Sequence, residues 1–216
     1  MPTRRSGSRW GIHPPSSTLP KVDPIIPVPR SGPFTDPVWL FEPKHDGFRG
    51  LLYVTPTSCR FYSKRGFVLK RFADFCTQVR EQLMAREAIL DGEVVALGAD
   101  GYPDFHRLMR GQGDLHYAAF DLLWLNGRDL RQQMLVDRKR RLRTLIRSTG
   151  ASIVSSVMTV EAEGRALYEA TQRLDLEGIV AKRKDDPYAC GVTWYKIKNP
   201  AYTQMGGRGD LFHGSR

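Results

Sequence analysis

Apolar positions along the chain recur at two spacings. Val38-Trp39-Leu40-Phe41 is an extended apolar run that stops at Glu42-Pro43-Lys44-His45-Asp46-Gly47, and residues 50–55 resume it. With Asp46-Gly47 between them, the two runs predict a hairpin that presents Lys44 beside its turn. Residues 59–63 predict a further strand, joined through Pro56-Thr57-Ser58. Phe72, Phe75, Cys76, Val79, Leu83 and Met84 recur every three or four residues and predict a helix over 72–86. A strand then enters Asp91-Gly92-Glu93, a second short strand covers 94–97, Asp100-Gly101 turns, and 104–109 makes one or two helical turns. Residues 117–123 are a dense apolar run suited to a buried strand, closed by the Asn126-Gly127 turn. Leu135, Leu142, Leu145 and Ile146 give the basic helix 136–146 one buried face. Residues 153–158 predict a strand, 161–174 a helix with Leu167 and Leu174 inward, and 178–182 and 193–198 two last strands around the polar loop 185–191. Strands and helices alternate irregularly, with hairpins and no repeat, which predicts an α+β fold of largely antiparallel sheets.

Composition bounds what such a fold does. The 216 residues carry 33 Lys+Arg against 23 Asp+Glu, a net charge of +10 that favours a polyanionic partner. The arginines of the basic helix (Arg138, Arg140, Arg141, Arg143) are read first as a solvated face. Residues 1–33 are rich in Pro, Ser and Arg, and are expected to be an extended lead-in, with 25–29 docking on the domain that begins near Phe34. Arg4, Arg5 and Arg9 are available for phosphate contacts. Cys59, Cys76 and Cys190 are odd in number and widely spaced, so no disulfide framework or zinc pair is expected, and a reducing, cytoplasmic setting follows. The histidines show no metal-ligand spacing, no apolar run reaches the ~18 residues of a membrane span, and no secretory signal opens the chain.

Polar residues set into or at the ends of apolar strands carry the candidate chemistry. Besides Lys44-His45-Asp46-Gly47-Phe48-Arg49, they fall in Asp91-Gly92-Glu93, Phe120-Asp121-Leu122-Leu123, Glu177-Gly178-Ile179-Val180-Ala181-Lys182 and Trp194-Tyr195-Lys196-Ile197-Lys198. Each alone is weak, since Asp-Gly-Glu is commonly a turn and Lys-x-Lys the wet face of an edge strand. In this order, over residues 32–200, they resemble five motifs of the covalent nucleotidyltransferases. The resemblance is to the adenylation domain of ATP-dependent DNA ligases, and in flavour to small bacterial ligase-like proteins and the ligase module of bacterial end-joining enzymes.

That resemblance implies an ATP-grasp-like nucleotidyltransferase domain over 34–200, followed by a short glycine-rich tail over 201–216. It implies ATP and Mg²⁺ or Mn²⁺ as reactants and cofactors, and a lysyl-AMP intermediate on Lys44. Glu42 matches the reader of the adenine amino group, Arg49 a ribose contact, Phe120 the aromatic stacked on adenine, and Asp46 a supporting residue. Glu177 and Glu93 match the metal acids, Glu93 also approaching the ribose. Lys196 and Lys198 match cations that disfavour the charge on the nucleophile and offset that on the phosphates. Lys64 and Arg65, in Ser63-Lys64-Arg65-Gly66, stand where these enzymes contact the 5′-phosphate side of a nick; Lys182 joins them as a DNA-side residue. His45 receives no role. The 18 residues after Lys198 are too few for the OB-fold that ordinarily follows, so a monomer with impaired or partner-dependent self-adenylation is expected, its partner an OB-fold or end-joining protein and its substrate nicked duplex DNA or DNA ends. An RNA ligase or capping-type transferase, and a non-catalytic nucleotide- or DNA-end-binding module, are the competing readings.

Overall fold

The apolar runs fold into two sheets, and the chain passes from one to the other at the lysine stretch. The computed structural model describes residues 19–83, 85–149 and 152–205; Arg4, Arg5, Arg9 and the tail from 206 onward lie outside the described residues. In chain order the elements are β1 (Val28–Pro29), β2 (Asp36–Pro43), β3 (Phe48–Val54), β4 (Cys59–Tyr62), α1 (Ala73–Leu83), β5 (Ala88–Leu97), α2 (Phe105–Arg110), β6 (Asp114–Leu125), β7 (Arg128–Asp129), α3 (Leu135–Thr149), β8 (Val154–Ser156), β9 (Val160–Ala162), α4 (Gly164–Arg173), β10 (Gly178–Arg183) and β11 (Tyr195–Lys198). One sheet has the order β1-β11-β10-β2-β9; the other runs β4-β3-β5-β6-β7, with β8 alongside β6. Among the described residues only β1 with β11 and β6 with β8 pair in parallel, so the fold is α+β with largely antiparallel sheets.

Two expectations about the strands are corrected. The runs flanking Asp46-Gly47 form no hairpin: β2 pairs with β10 and β9, whereas β3 pairs with β4 and β5. Gly47 carries the crossing because it lies hard against β5, where a Cβ would strike the Val94 carbonyl oxygen. Asp91-Gly92-Glu93 is not a turn either, since β5 runs unbroken through it. Gly92 leaves room there for the Tyr117 ring, which would lie 2.6 Å from an added Cβ, and the Tyr117 hydroxyl donates to the Gly50 carbonyl at 2.8 Å.

Side-chain alternation sorts the core into layers. Leu52, Val54, Phe61, Leu90 and Val94 face α1, α2 and α3, with Phe75, Val79, Leu83, Leu108 and Leu142 opposite. Leu51, Ile89 and Leu123 point to the other face of the same sheet, toward Trp194, Tyr188, Val22 and Ile25. Phe41, Ile179, Ala181 and Ile197 pack under Leu167 of α4. Ordered packing thus precedes Phe34. The segment 19–29 lies along the domain, Val22 and Ile25 are buried, and Val28 and Pro29 align with Tyr195 and Lys196. Leu174, expected inward, caps the end of α4 and is 49% exposed.

Cys59 and Cys76 form a disulfide, with Cα atoms 5.8 Å apart. They meet because α1 packs on β4, a contact their sequence spacing did not reveal, and the redox setting inferred from unpaired cysteines loses its premise. No helix among the described residues is long and apolar enough to cross a membrane.

The basic helix α3 is not wholly a solvated face. Arg138 is fully buried and donates to both Asp121 oxygens at 2.8 Å, and to the carbonyls of Gln133 and Asp186. Breaking a fully buried pair leaves one charge without a partner, at a cost of about 3–5 kcal/mol. Arg138→Met or Asp121→Leu alone should therefore lower the unfolding free energy by about that much, and the double variant by much less, as read from denaturant melts. Single losses below about 1 kcal/mol, the range of a surface pair, would show that the pair does not lock α3 to β6.

Candidate functional site

A hollow of about 200 Å³ opens between the sheets, lined by Glu42, Lys44, Arg49, Glu93, Phe120, Lys182, Trp194 and Lys196, with Lys64 at its edge and Ile26 and Pro27 from the N-terminal segment closing one side. Strand geometry explains the convergence. On β2, Phe41 points to α4, so Glu42 points between the sheets; on β10, Ile179 and Ala181 face α4, so Val180 and Lys182 turn toward the hollow. On β6 the register with β5 skips from Asp121 to Ala119, a bulge that re-aims Phe120.

Lys44 follows β2 directly, and its backbone N–H donates to the Gly178 carbonyl at 2.8 Å. Its ammonium lies 2.5 Å from Glu177 Oε2, and the other Glu177 oxygen is 3.9 Å from Lys198 Nζ. The nearest charged partner of Lys44 is thus a carboxylate and not the expected cation. Lys196 stands near enough to matter: burial first, then Lys198, Lys44 and Lys64, hold its pKa below the ordinary lysine value. Glu93 sits directly across from Arg49 in the β3–β5 ladder. Burial pushes its carboxyl up to about 7, Lys44 and Arg49 opposing, Glu177 and Asp46 adding. Asp46 is buried and accepts from the Tyr202 hydroxyl at 3.0 Å. His45 is held neutral, since burial pushes its pKa down to about 4.

Below the hollow lie further charges, paired in ways the sequence does not show. The Glu42 carboxylate is 2.5 Å from Lys139 and 2.7 Å from Lys182, all three side chains buried. Burial alone would raise the Glu42 pKa; the two lysines outweigh it and hold it below the ordinary value. Lys182 stands 4.3 Å from the Phe120 ring centre and 4.1 Å from that of Trp194, and its pKa is lowered to about 8 by burial. Lys182, expected on the DNA side, is 1% exposed and stands on the wall of the hollow beside Glu42. Arg49 spends its fork on Asp91, at 2.8 and 2.6 Å, and its guanidinium lies 4.9 Å from the Phe120 ring centre. Asp91 also accepts from the Tyr188 hydroxyl at 2.7 Å. Lys64 and Arg65 are exposed on the turn after β4, where Ser63 Oγ accepts from the Arg65 and Phe67 amides. Lys139, Tyr188 and Tyr202 carry no spacing signal in the sequence; Asp91 did stand in the segment that holds Glu93, and Trp194 in the one that holds Lys196.

No group of three or more metal-ligating side chains occurs among the described residues. Two acids bear on Lys44, Glu177 by contact and Glu93 through its charge, a donor set that suits Mg²⁺, which is usually bound by one or two carboxylates together with substrate phosphates and water.

Comparison with known proteins places this chain in a family. Residues 33–198 match the family model of the ATP dependent DNA ligase domain. The multifunctional non-homologous end joining DNA repair protein LigD of Mycobacterium tuberculosis is 30% identical over 166 residues, which covers 74% of this chain but 22% of LigD. The SPbeta prophage-derived DNA ligase-like protein LigB of Bacillus subtilis is 25% identical over 194 residues, covering 85% of this chain and 70% of LigB. The structure of mycobacterial DNA ligase D complexed with ATP and MES superposes with a TM-score of 0.72 at 27% identity, over 82% of this chain and 60% of that one. The chain thus spans about a fifth of the LigD protein it matches. With the motif order, the two-sheet fold and the lysine-centred hollow in agreement, the chain belongs to the ATP-dependent DNA ligase domain family.

Proposed function

We propose that the chain is an adenylyl-transferring enzyme of the DNA ligase type with Lys44 as its nucleophile. The observation that carries this reading is the position of one amine, partly exposed, at the mouth of the hollow, with carboxylates and further lysines around it. The neutral amine attacks the α-phosphorus of ATP, pyrophosphate departs, and the attacking nitrogen gives up a proton to leave a phosphoramidate. A 5′-phosphate oxygen on DNA next attacks the same phosphorus and Lys44 leaves; the neighbouring 3′-hydroxyl then attacks the activated 5′-phosphate, closes the nick and releases AMP.

The chain's own residues take the following parts. Glu177 orients the Lys44 side chain and is the group nearest its proton. Phe120, Trp194 and Ile26 give the base an apolar slot, and Glu42, whose oxygens keep further lone pairs beside the lysines, accepts from the adenine amino group. Arg49 is fixed by Asp91 beneath the ribose. Lys196 and Lys198 attract the phosphates and stabilise charge on the departing pyrophosphate, and Asp46, held by Tyr202, fixes the turn after the nucleophile. Lys64 and Arg65 face the acceptor strand. A divalent cation would be held by Glu177 and Glu93 and would supply neutralisation of phosphate charge.

Incubated with ATP and Mg²⁺, the purified chain should gain the mass of one AMP on Lys44, and Lys44→Ala should gain none. Glu177→Gln should slow the gain by on the order of 10²-fold, the scale of one lost electrostatic partner. A Lys44→Ala protein that still seals a pre-adenylated DNA nick, but not its RNA counterpart, would separate the steps and identify the polymer. A folded chain that never acquires adenylate, with or without an OB-fold or end-joining partner, sinks the enzymatic reading.

A second outcome concerns Glu93 in the free chain. Its pKa is raised from 4.5 to about 7 on folding, so between those values the folded state binds the extra proton. Its contribution to stability is therefore present below the unfolded value and lost as pH rises through about 7. Without nucleotide or metal, Glu93→Gln should gain stability relative to the native chain as pH goes from about 5 to about 8, read as denaturant midpoints. A difference that does not change with pH would show that Glu93 ionises normally.

A further inference from the structure

The hollow around Lys44 continues, past Lys64, into a larger cleft of about 550 Å³, within the ~300–1,000 Å³ of ligand sites. Its floor is the face of the β3–β4 hairpin that points away from the helices. Leu51 pairs with Tyr62 and Tyr53 with Arg60 across the ladder, so these four side chains share that face. Its far wall is the N-terminal segment at Lys21–Pro24.

Three features give the cleft a chemistry. First, Tyr53 and Tyr62 meet edge to face, ring centres 5.1 Å apart, both half-buried. Second, the Tyr53 ring is fixed: its hydroxyl accepts from the Val22 amide at 2.9 Å and donates to the Pro20 carbonyl at 3.2 Å. Among the described residues the Tyr62 hydroxyl has no hydrogen-bond partner. Third, Lys21, Arg60, Lys64 and Arg65 line the cleft, against one acid, Asp23, and none of the four makes an ion pair among the described residues. An aromatic platform flanked by unpaired cations is the arrangement that takes single-stranded nucleic acid, bases on rings and phosphates on cations.

We propose that this cleft binds one unpaired nucleotide of a DNA end, the nucleotide that bears the acceptor 5′-phosphate. Its base lies against Tyr62, and its phosphate lies between Arg60, Arg65 and Lys64, the residue that borders both hollows. The assignment rests on the adenylyl-transfer reading for which phosphate is presented to Lys44. It goes beyond that reading in giving the site a preference for 5′-overhanging ends over blunt ones.

The test uses the full chain without ATP, over one series of salt concentrations shared by all variants, and two 5′-phosphorylated DNA hairpins. One ends blunt; the other carries a single unpaired 5′ nucleotide with 2-aminopurine as its base. Quenching of the 2-aminopurine on binding and about tenfold tighter anisotropy titration of the overhang are expected. Tyr62→Ala should lose both, Tyr62→Phe should keep both, and Arg60→Gln should weaken binding to the overhang and reduce the salt slope by about one. Tyr62→Leu, which keeps apolar bulk on the hairpin, should behave as Tyr62→Ala while melting like the native chain. Equal affinity for the two ends, unquenched 2-aminopurine, or indifference to Tyr62→Leu in a folded protein overturns the proposal. ATP labelling of Lys44 should be unchanged in the Tyr62 variants. Failure of labelling alone removes the enzymatic reading, whereas failure of the overhang preference with labelling intact removes only the cleft.

Discussion

One carboxylate holds the two sheets in register beneath the site. Glu42 is the next-to-last residue of β2 in one sheet, Lys182 reaches it from β10 beside it, and Lys139 reaches it from α3, which packs on β6 of the other sheet. As bare energetics such a buried cluster is a weak source of stability, because desolvation offsets most of the attraction. Its effect is on geometry. Sliding β2 by one residue against β10 would bring Phe41 to the lysines and Glu42 to the apolar face under α4, two errors at once. Lys44 lies two residues beyond Glu42, so the clamp that sets the register also sets where the amine emerges.

The same cluster changes what the chain's charge means. A net charge of +10 suggests a basic surface, yet Arg138 and Lys139 are buried and paired with Asp121 and Glu42, Lys182 is buried on Glu42, and Arg49 is committed to Asp91. Glu42 carries one negative charge against two lysines, so a positive surplus remains under the hollow. Lys44, Lys196, Lys198 and Lys64 add to it at the mouth, near enough to one another to bear on Lys196. A polyphosphate meets a focused field there, which composition alone could not locate.

Much of this was legible in the sequence, and the failures share a cause. Regular periodicity revealed α1 because that helix buries one face, whereas β6 and β10 showed as dense apolar runs because both of their faces are largely covered. The Asp46-Gly47 turn was misread because a tight turn between two apolar runs looks the same whether the runs pair with each other or with distant strands; only β9, β10 and β5 decide it. Asp91-Gly92-Glu93 was misread because its glycine makes space for Tyr117, a long-range contact, and not for a turn. Lys44, Glu93, Phe120, Glu177 and Lys196 could be picked out because the chemistry fixes residue type and order. Lys139, Tyr188 and Tyr202 could not, since a second residue that merely holds the first is defined by where the fold puts it; Asp91 stood in a motif, but its grip on Arg49 did not show there. Lys182 is a further case, since its motif did not reveal that the alternation of β10 turns it toward Glu42.

The N-terminal segment ties these layers to one another. It is fastened at Val28–Pro29 to β11, at Ile25 by the Tyr188 hydroxyl, and at Val22 by the Tyr53 hydroxyl. Between those fastenings Ile26 and Pro27 wall the hollow around Lys44, while Val22, Asp23 and Pro24 wall the larger cleft. Tyr188 is itself bonded to Asp91, which holds Arg49. A ligand that displaced the segment from one hollow would therefore disturb the wall of the other, and through Tyr188 the posture of Arg49. A stretch whose Pro-rich composition marks it as unable to fold alone is thus a structural part of the site, because the domain supplies the burial that the stretch lacks.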